Sequence, residues 1–164
     1  MIILTKELVG QGWIDQLNTE MFNAESDRAL EYEGEQVEFL GNSYGRGDMP
    51  VAHQLMHHLT PWVNATYGSV TPANSYSRIY YNGSILNPHT DRTGLDITMT
   101  LCTYSDINKP WPLYVEFEGT TYGFETPPGC AAIIRGTEHR HWREAMQCEP
   151  HQKVVQIFLH WTKA

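Results

Sequence analysis

Two features of the chain predict a mainly β fold with helices at its N-terminal end. Before residue 70, apolar residues recur at helical spacing in two stretches. After residue 74, short β-rich segments follow one another between turn signals: SYSRIYYNG, LDITMTLCTY, PLYVEFEG, TYGFET, GCAAIIRG and KVVQIFLHW. Strands spaced in this way suit a sandwich or barrel. Helices first and strands after, in 164 residues, predict one domain with helices packed outside a β-sandwich. A jelly roll is the first choice, because such double sheets carry ligand sites in their open mouths. The single domain is expected to span residues 1–164, with 1–73 as helical support and loops and 74–164 as the jelly-roll core.

The elements follow in order. KELVGQGWIDQLNTEMF sets Leu8, Trp13, Ile14, Leu17 and Phe22 at roughly helical spacing, with Gly10 and Gly12 weakening the first turns. EYEGEQVEFLGNSYGRGDMP reads as an acidic stretch followed by a Gly-rich loop. In it Glu31, Glu33, Glu35 and Glu38 are interleaved with Tyr32 and Val37, as in a solvated loop or a charged edge strand. The functional alternative is a flap that attracts a cationic substrate. The tripeptide Arg46–Asp48 reads as part of that loop. Pro50 opens a second helix, VAHQLMHHLTPWVNATYG, which Gly68 ends. His53 and His57 have zinc spacing on that helix, but Gln54 stands where H-E-x-x-H needs its glutamate, so both read as surface histidines. In LDITMTLCTY, Ile97, Met99 and Leu101 alternate with Asp96, Thr98, Thr100, Cys102 and Tyr104. That is a barrel wall with an apolar side toward the core and a polar side toward the mouth.

Composition narrows the function classes. A formal charge of −8 repels phosphate backbones, so nucleic acid is an unlikely partner. Cys102, Cys130 and Cys148 are odd in number and widely spaced, and read as free thiols in a reducing compartment. No apolar run has the length of a membrane span and no basic leader precedes the opening residues, so the cytoplasm is the default location. The sequons at Asn64 and Asn82 then carry no meaning.

The chemistry concentrates in NPHTDR. On a strand His89 and Asp91 would point to one face, with Thr90 on the other. An imidazole and a carboxylate supply two metal ligands, and GTEHRHWRE offers a third in His139 or His141. Two histidines and one carboxylate leave coordination positions open, the arrangement that suits non-heme iron(II). H-x-D alone is a weak signal, since a turn stabilised by its aspartate also contains it. Spacing alone leaves His139 and His141 both open.

RIYYNGSILNPHTD, DITMTLCTY, WPLYVEFEG with PPGCAAIIRG, GTEHRHWRE and KVVQIFLHW together resemble the iron(II)/2-oxoglutarate-dependent dioxygenases, in particular the prolyl-4-hydroxylase-like branch and its small bacterial and phage-type members. The resemblance covers about residues 74–162. It implies a double-stranded β-helix, iron held by His89, Asp91 and His141, 2-oxoglutarate and dioxygen as co-substrates, and ascorbate as a possible reductant. The H-W-R pattern favours His141 over His139, which would then stand behind the site or at its rim. It also implies a cation for the far carboxylate of 2-oxoglutarate. Lys153 opens the closing strand and is the first candidate; Arg143 is the second, because a guanidinium forks a carboxylate better. Tyr80 matches a co-substrate-binding tyrosine, and Thr100 or Tyr104 would hydrogen-bond the co-substrate.

The implied activity is hydroxylation of a C–H bond on a peptide or small-molecule substrate. A peptidyl proline comes first and a free amino acid or other small metabolite second. A cupin-like metal-binding jelly roll without oxygenase activity is the alternative outside enzymes. Tyr32, Tyr44, Trp111, Tyr114, Tyr122 and Trp142 are candidates for an aromatic substrate groove.

Overall fold

The computed structural model describes residues 2–33 and 40–164. In chain order the elements are β1 (Ile3–Thr5), α1 (Gln11–Ser26), β2 (Glu31–Tyr32), β3 (Leu40–Gly47), α2 (Pro50–Tyr67), β4 (Val70–His89), β5 (Ile97–Ser105), β6 (Leu113–Phe117), β7 (Thr120–Phe124), β8 (Ala131–Ile134), β9 (His141–Arg143) and β10 (Val154–Lys163). The helices start where the chain allows. Gly10 is extended and caps α1, so Leu8 lies outside the helix expected to contain it. Pro50 opens α2 and Gly68, at φ 88°, ends it, as the sequence predicts.

The strands form one curled antiparallel sheet that doubles back on itself. Its larger layer runs β1-β8-β5-β10-β4, and β3 and β2 extend it past β4. The end of β4 then joins β9, which continues to β6 and β7 as the smaller layer. β4 is the hinge of this arrangement. Residues 70–80 pair with β10, and Leu86 and His89 pair with Arg143 and His141 of β9. This is a jelly roll, the double-stranded β-helix expected. The Gly-rich segment assigned to a loop is a strand instead, because Leu40–Gly47 adds to β4 and satisfies its edge. Glu35, Val37 and Glu38 lie outside the described residues; Glu31 and Tyr32 form the outermost strand, as an acidic edge would.

Each face of the larger layer has its own chemistry. Ile79, Ile97, Met99, Leu101, Val155, Ile157, Leu159 and Trp161 face the helices and pack on Leu17, Met21, Leu55, Met56, Leu59 and Val63. Burying each such side chain contributes about 1.5–3 kcal/mol, so the helices anchor the sheet from outside. The opposite face, with Arg78, Thr98, Thr100, Phe158 and His160, looks into the barrel. Leu113, Val115, Ala132 and Ile134 close the space between the two layers. Among the described residues no helix is long and apolar enough to cross a membrane.

Candidate metal centre

The pairing of β4 with β9 sets His89 directly opposite His141. Asp91 follows two residues after His89, and its backbone N–H donates to the Gly136 carbonyl at 2.8 Å, which ties it to the turn ahead of β9. The result is a compact group: His89 Nε2 lies 3.6 Å and His141 Nε2 3.3 Å from Asp91 Oδ1. One ligand atom from each of the three lies within 4.8 Å of the others. Ligands about 2.1 Å from one ion stand close to 3 Å apart, so this spacing fits a metal with little adjustment.

Tautomers agree with ligation. His89 Nδ1 lies 2.8 Å from the Asn87 carbonyl and His141 Nδ1 2.8 Å from the His139 carbonyl. A carbonyl only accepts, so each Nδ1 carries the hydrogen and each Nε2 keeps its lone pair for a metal. The Asp91 carboxyl is held well below the usual carboxylate range. Burial opposes this, but contacts from His141, His89 and Thr98 outweigh it. Thr98 Oγ1 donates to Asp91 Oδ2 at 2.6 Å, and His160 Nδ1 donates to Thr98 Oγ1 at 3.1 Å. Burial pushes His160 down to about 4, so its ring is neutral in this chain of bonds. A Cβ at position 136 would collide with Asp91 Oδ2, so glycine there lets the carboxylate take its place.

The group stands in a cavity of about 760 Å³ whose lining includes Arg143, Thr100, Arg78, Glu33, Phe158 and His160. Arg143 is fully buried. Its Nη1 donates to the Trp111 carbonyl at 2.7 Å, and its guanidinium sits over the Trp111 ring. Nε and Nη2 meet no acceptor among the described residues. Burial lowers the basicity of this group, with the neighbouring Tyr80 and Cys102 opposing. Thr100 Oγ1 lines the same cavity and donates to Gln156 at 3.2 Å. Tyr80 is buried behind the wall, where its hydroxyl accepts from Arg78 Nη1 at 3.2 Å.

Two expected anchors are elsewhere. Lys153 shares the face of Val155 and Ile157, which looks at the helices, and its Nζ pairs with Glu25 at 2.7 Å over the Phe22 ring. Tyr104 would have faced the barrel if β5 alternated regularly. A bulge intervenes: Gln156 pairs with Cys102 but Val155 with Tyr104, so Thr103 is the extra residue and Tyr104 turns outward. There it stacks edge-on against Phe22 and donates to Asp106. His139 lies in a turn before β9, so strand parity never applied to it. It contributes a backbone carbonyl while its ring packs on Phe117. None of the six aromatics proposed for a groove lines this cavity; Tyr76 and Phe158 do. His160 and Arg78 escaped sequence reasoning, while Thr98 was expected on the polar side of β5 without a role and Glu33 only as part of an acidic stretch.

Sequence comparison finds no matching family model, and no curated protein matches. Solved structures do match. A Pseudomonas putida prolyl-4-hydroxylase superposes with a TM-score of 0.78 at 12% identity, covering 99% of this chain and 92% of that one. A Trichoplax adhaerens prolyl hydroxylase in complex with a hypoxia-inducible-factor peptide fragment gives 0.76 at 9% identity, covering 98% and 83%. HygX from Streptomyces hygroscopicus, with nickel, 2-oxoglutarate and hygromycin B bound, gives 0.67 at 11%, covering 99% and 83%. The chain has their fold. At such identities the likeness shows the backbone framework alone.

Proposed function

We propose that this protein is an iron(II)- and 2-oxoglutarate-dependent dioxygenase that hydroxylates a C–H bond. A peptidyl proline is the first substrate to consider, and a free amino acid or another small metabolite the second. One observation carries the reading: a His-Asp-His group shares one cavity with a buried guanidinium, Arg143, whose Nε and Nη2 meet no acceptor among the described residues. Two imidazoles and one carboxylate suit iron(II) and leave positions open for further ligands. A desolvated cation without a partner is costly and calls for an anion. Arg143 is two residues after His141 on one strand face, about 7 Å away along the backbone. A five-carbon diacid spans that gap, one end at the metal and its distal carboxylate at Arg143.

The bound iron would supply dioxygen activation coupled to oxidation of the co-substrate to succinate and carbon dioxide, with ascorbate keeping the metal reduced. The protein's own residues do the rest. His89 and His141 present unprotonated Nε2 atoms, and Asp91 stays ionised and is aimed by Thr98. Thr100 offers a hydroxyl from the cavity wall, and Tyr80, behind that wall, accepts from Arg78 and so positions it. Leu86, Leu113, Ile134 and Phe158 make much of the wall apolar, which strengthens each of these polar contacts.

The test is anaerobic titration with iron(II) and then 2-oxoglutarate, watched for the visible metal-to-ligand charge-transfer band. Wild type should develop the band, His89→Ala should not, and Arg143→Met should need far more 2-oxoglutarate. Metal binding without a band in wild type would retire the dioxygenase reading.

A further inference from the structure

A second pair of imidazoles converges on α2, outside the lining of the metal cavity. His53 and His57 are one helical turn apart, and a shared face is all that their spacing implies. In the structure the two rings turn toward each other: their Nε2 atoms lie 3.2 Å apart and their centroids 4.8 Å apart. The other nitrogen of His53, Nδ1, is buried and lies 3.7 Å from Asp48 Oδ1. Asp48 is itself fixed, since its Oδ1 accepts the Ser75 backbone N–H at 2.9 Å. Beneath the rings Ala52, Leu55, Met56 and Leu59 are buried, so a packed helix presents them. His57 is exposed to solvent on the outer side.

We propose that His53 and His57 form a second metal site, which takes copper(II), nickel(II) or zinc(II) through both Nε2 atoms, with water in the remaining positions. Two nitrogens about 2.1 Å from one ion stand about 3.0 Å apart in octahedral geometry and about 3.4 Å apart in tetrahedral geometry. The observed 3.2 Å lies between these values, so an ion enters without a change of backbone. A carboxylate only accepts, so Asp48 favours hydrogen on His53 Nδ1 and leaves the Nε2 lone pair outward. In the metal-free protein His57 donates to that lone pair. The bond is neutral and exposed, so water replaces it at little cost, and the His57 hydrogen moves to its solvent-facing nitrogen. Among the described residues only His89, Asp91 and His141 form a group of three ligands, so this second site is bidentate. Two imidazoles without a carboxylate or thiolate hold copper(II) most tightly and iron(II) more weakly than nickel(II). Gln54 stands where a zinc hydrolase needs its glutamate, so the ion is bound there without a general base. The site needs nothing from the His-Asp-His group and is independent of the dioxygenase reading.

The experiment is equilibrium dialysis of the full chain, freed of metal, against nickel(II), with wild type, His57→Ala, His89→Ala and the double variant compared. His57 is exposed, so its replacement leaves the fold intact. Wild type should bind one ion more than His57→Ala, and His89→Ala one more than the double variant. Copper(II) added to His89→Ala at one equivalent then reports the ligands directly. Its electron paramagnetic resonance spectrum should show hyperfine splitting from two imidazole nitrogens, and His57→Ala or His53→Ala in that background should remove the pattern. Asp48→Asn keeps a residue that tolerates the left-handed backbone at φ 48° and should weaken nickel(II) binding at this site about tenfold. An equal number of ions in wild type and His57→Ala, or a two-nitrogen spectrum that survives the loss of His57, would overturn the proposal. An unchanged affinity in Asp48→Asn would overturn the part assigned to Asp48.

Discussion

Asp91 illustrates how much a single side chain here depends on its neighbours. Its Oδ1 faces two imidazoles while its Oδ2 accepts the Thr98 hydroxyl. Thr98→Val keeps the shape of that side chain and deletes the donor, so the carboxylate loses its orientation. Metal affinity should fall about 10- to 100-fold, measured by competition titration with a fluorescent chelator; an unchanged affinity would mean that Thr98 does not aim the ligand. His160 carries a pH dependence. Burial depresses its pKa from 6.5 to about 4, so the unfolded chain takes up a proton between those values that the folded protein refuses. The stability from this group is complete above about pH 6.5 and is lost as pH falls through 4, a total on the order of 3 kcal/mol. His160→Asn should flatten the stability profile between pH 6.5 and 4 in urea melts, and parallel profiles would refute the assignment.

Whole strands decide which side chains can meet. β9 has only three residues, yet its register against β4 sets His141 opposite His89 and Arg143 opposite Leu86. The turn before it is equally strict, because Gly136 lies against the Asp91 carboxylate. Gly136→Ala should leave a folded protein, since both sheet layers and the helices stay in place, but displace Asp91 and abolish tight metal binding. Far-UV circular dichroism and metal titration together check this, and a variant that binds iron normally would show that the turn can yield. Strand parity also explains the fate of Lys153. It stands one residue before β10, in step with the odd-numbered face of Val155 and Ile157, and that face belongs to the helices. In β5 one extra residue at Thr103 reverses the parity beyond it and removes Tyr104 from the barrel.

At the scale of the molecule, the fold keeps its apolar mass and its chemistry on opposite faces of one sheet. The helices cover the outer face, and Arg143, on β9 of the smaller layer, is buried with no acidic partner among the described residues. That arrangement has a cost in the unliganded state. Arg143→Met should raise the thermal stability of the metal-free protein by about 1 kcal/mol or more, since an unpaired buried charge is replaced by an apolar group of similar volume. The same change should cancel the further stabilisation that 2-oxoglutarate adds to the metal-loaded wild type, an increment that grows with the logarithm of ligand concentration over Kd. Differential scanning calorimetry reads both signs. A variant less stable in the unliganded state and still stabilised by 2-oxoglutarate would assign Arg143 to structure alone.

The sequence by itself determined the class of fold, the presence of both helices and the ends of α2, and it marked His89 and Asp91 as candidate ligands, because each is written in local terms: apolar period, Pro and Gly at helix boundaries, two side chains on one strand face. Its resemblance to a known pattern also selected His141 over His139. Only the tertiary structure decided which cation enters the cavity, which threonines and tyrosines face it, and that Glu33 and Arg78 meet there. Those choices rest on strand register, on a bulge of one residue and on contacts between segments 45 positions apart. No local preference encodes such contacts; they arise when the two layers close on each other and each buried polar atom must find a partner or remain without one.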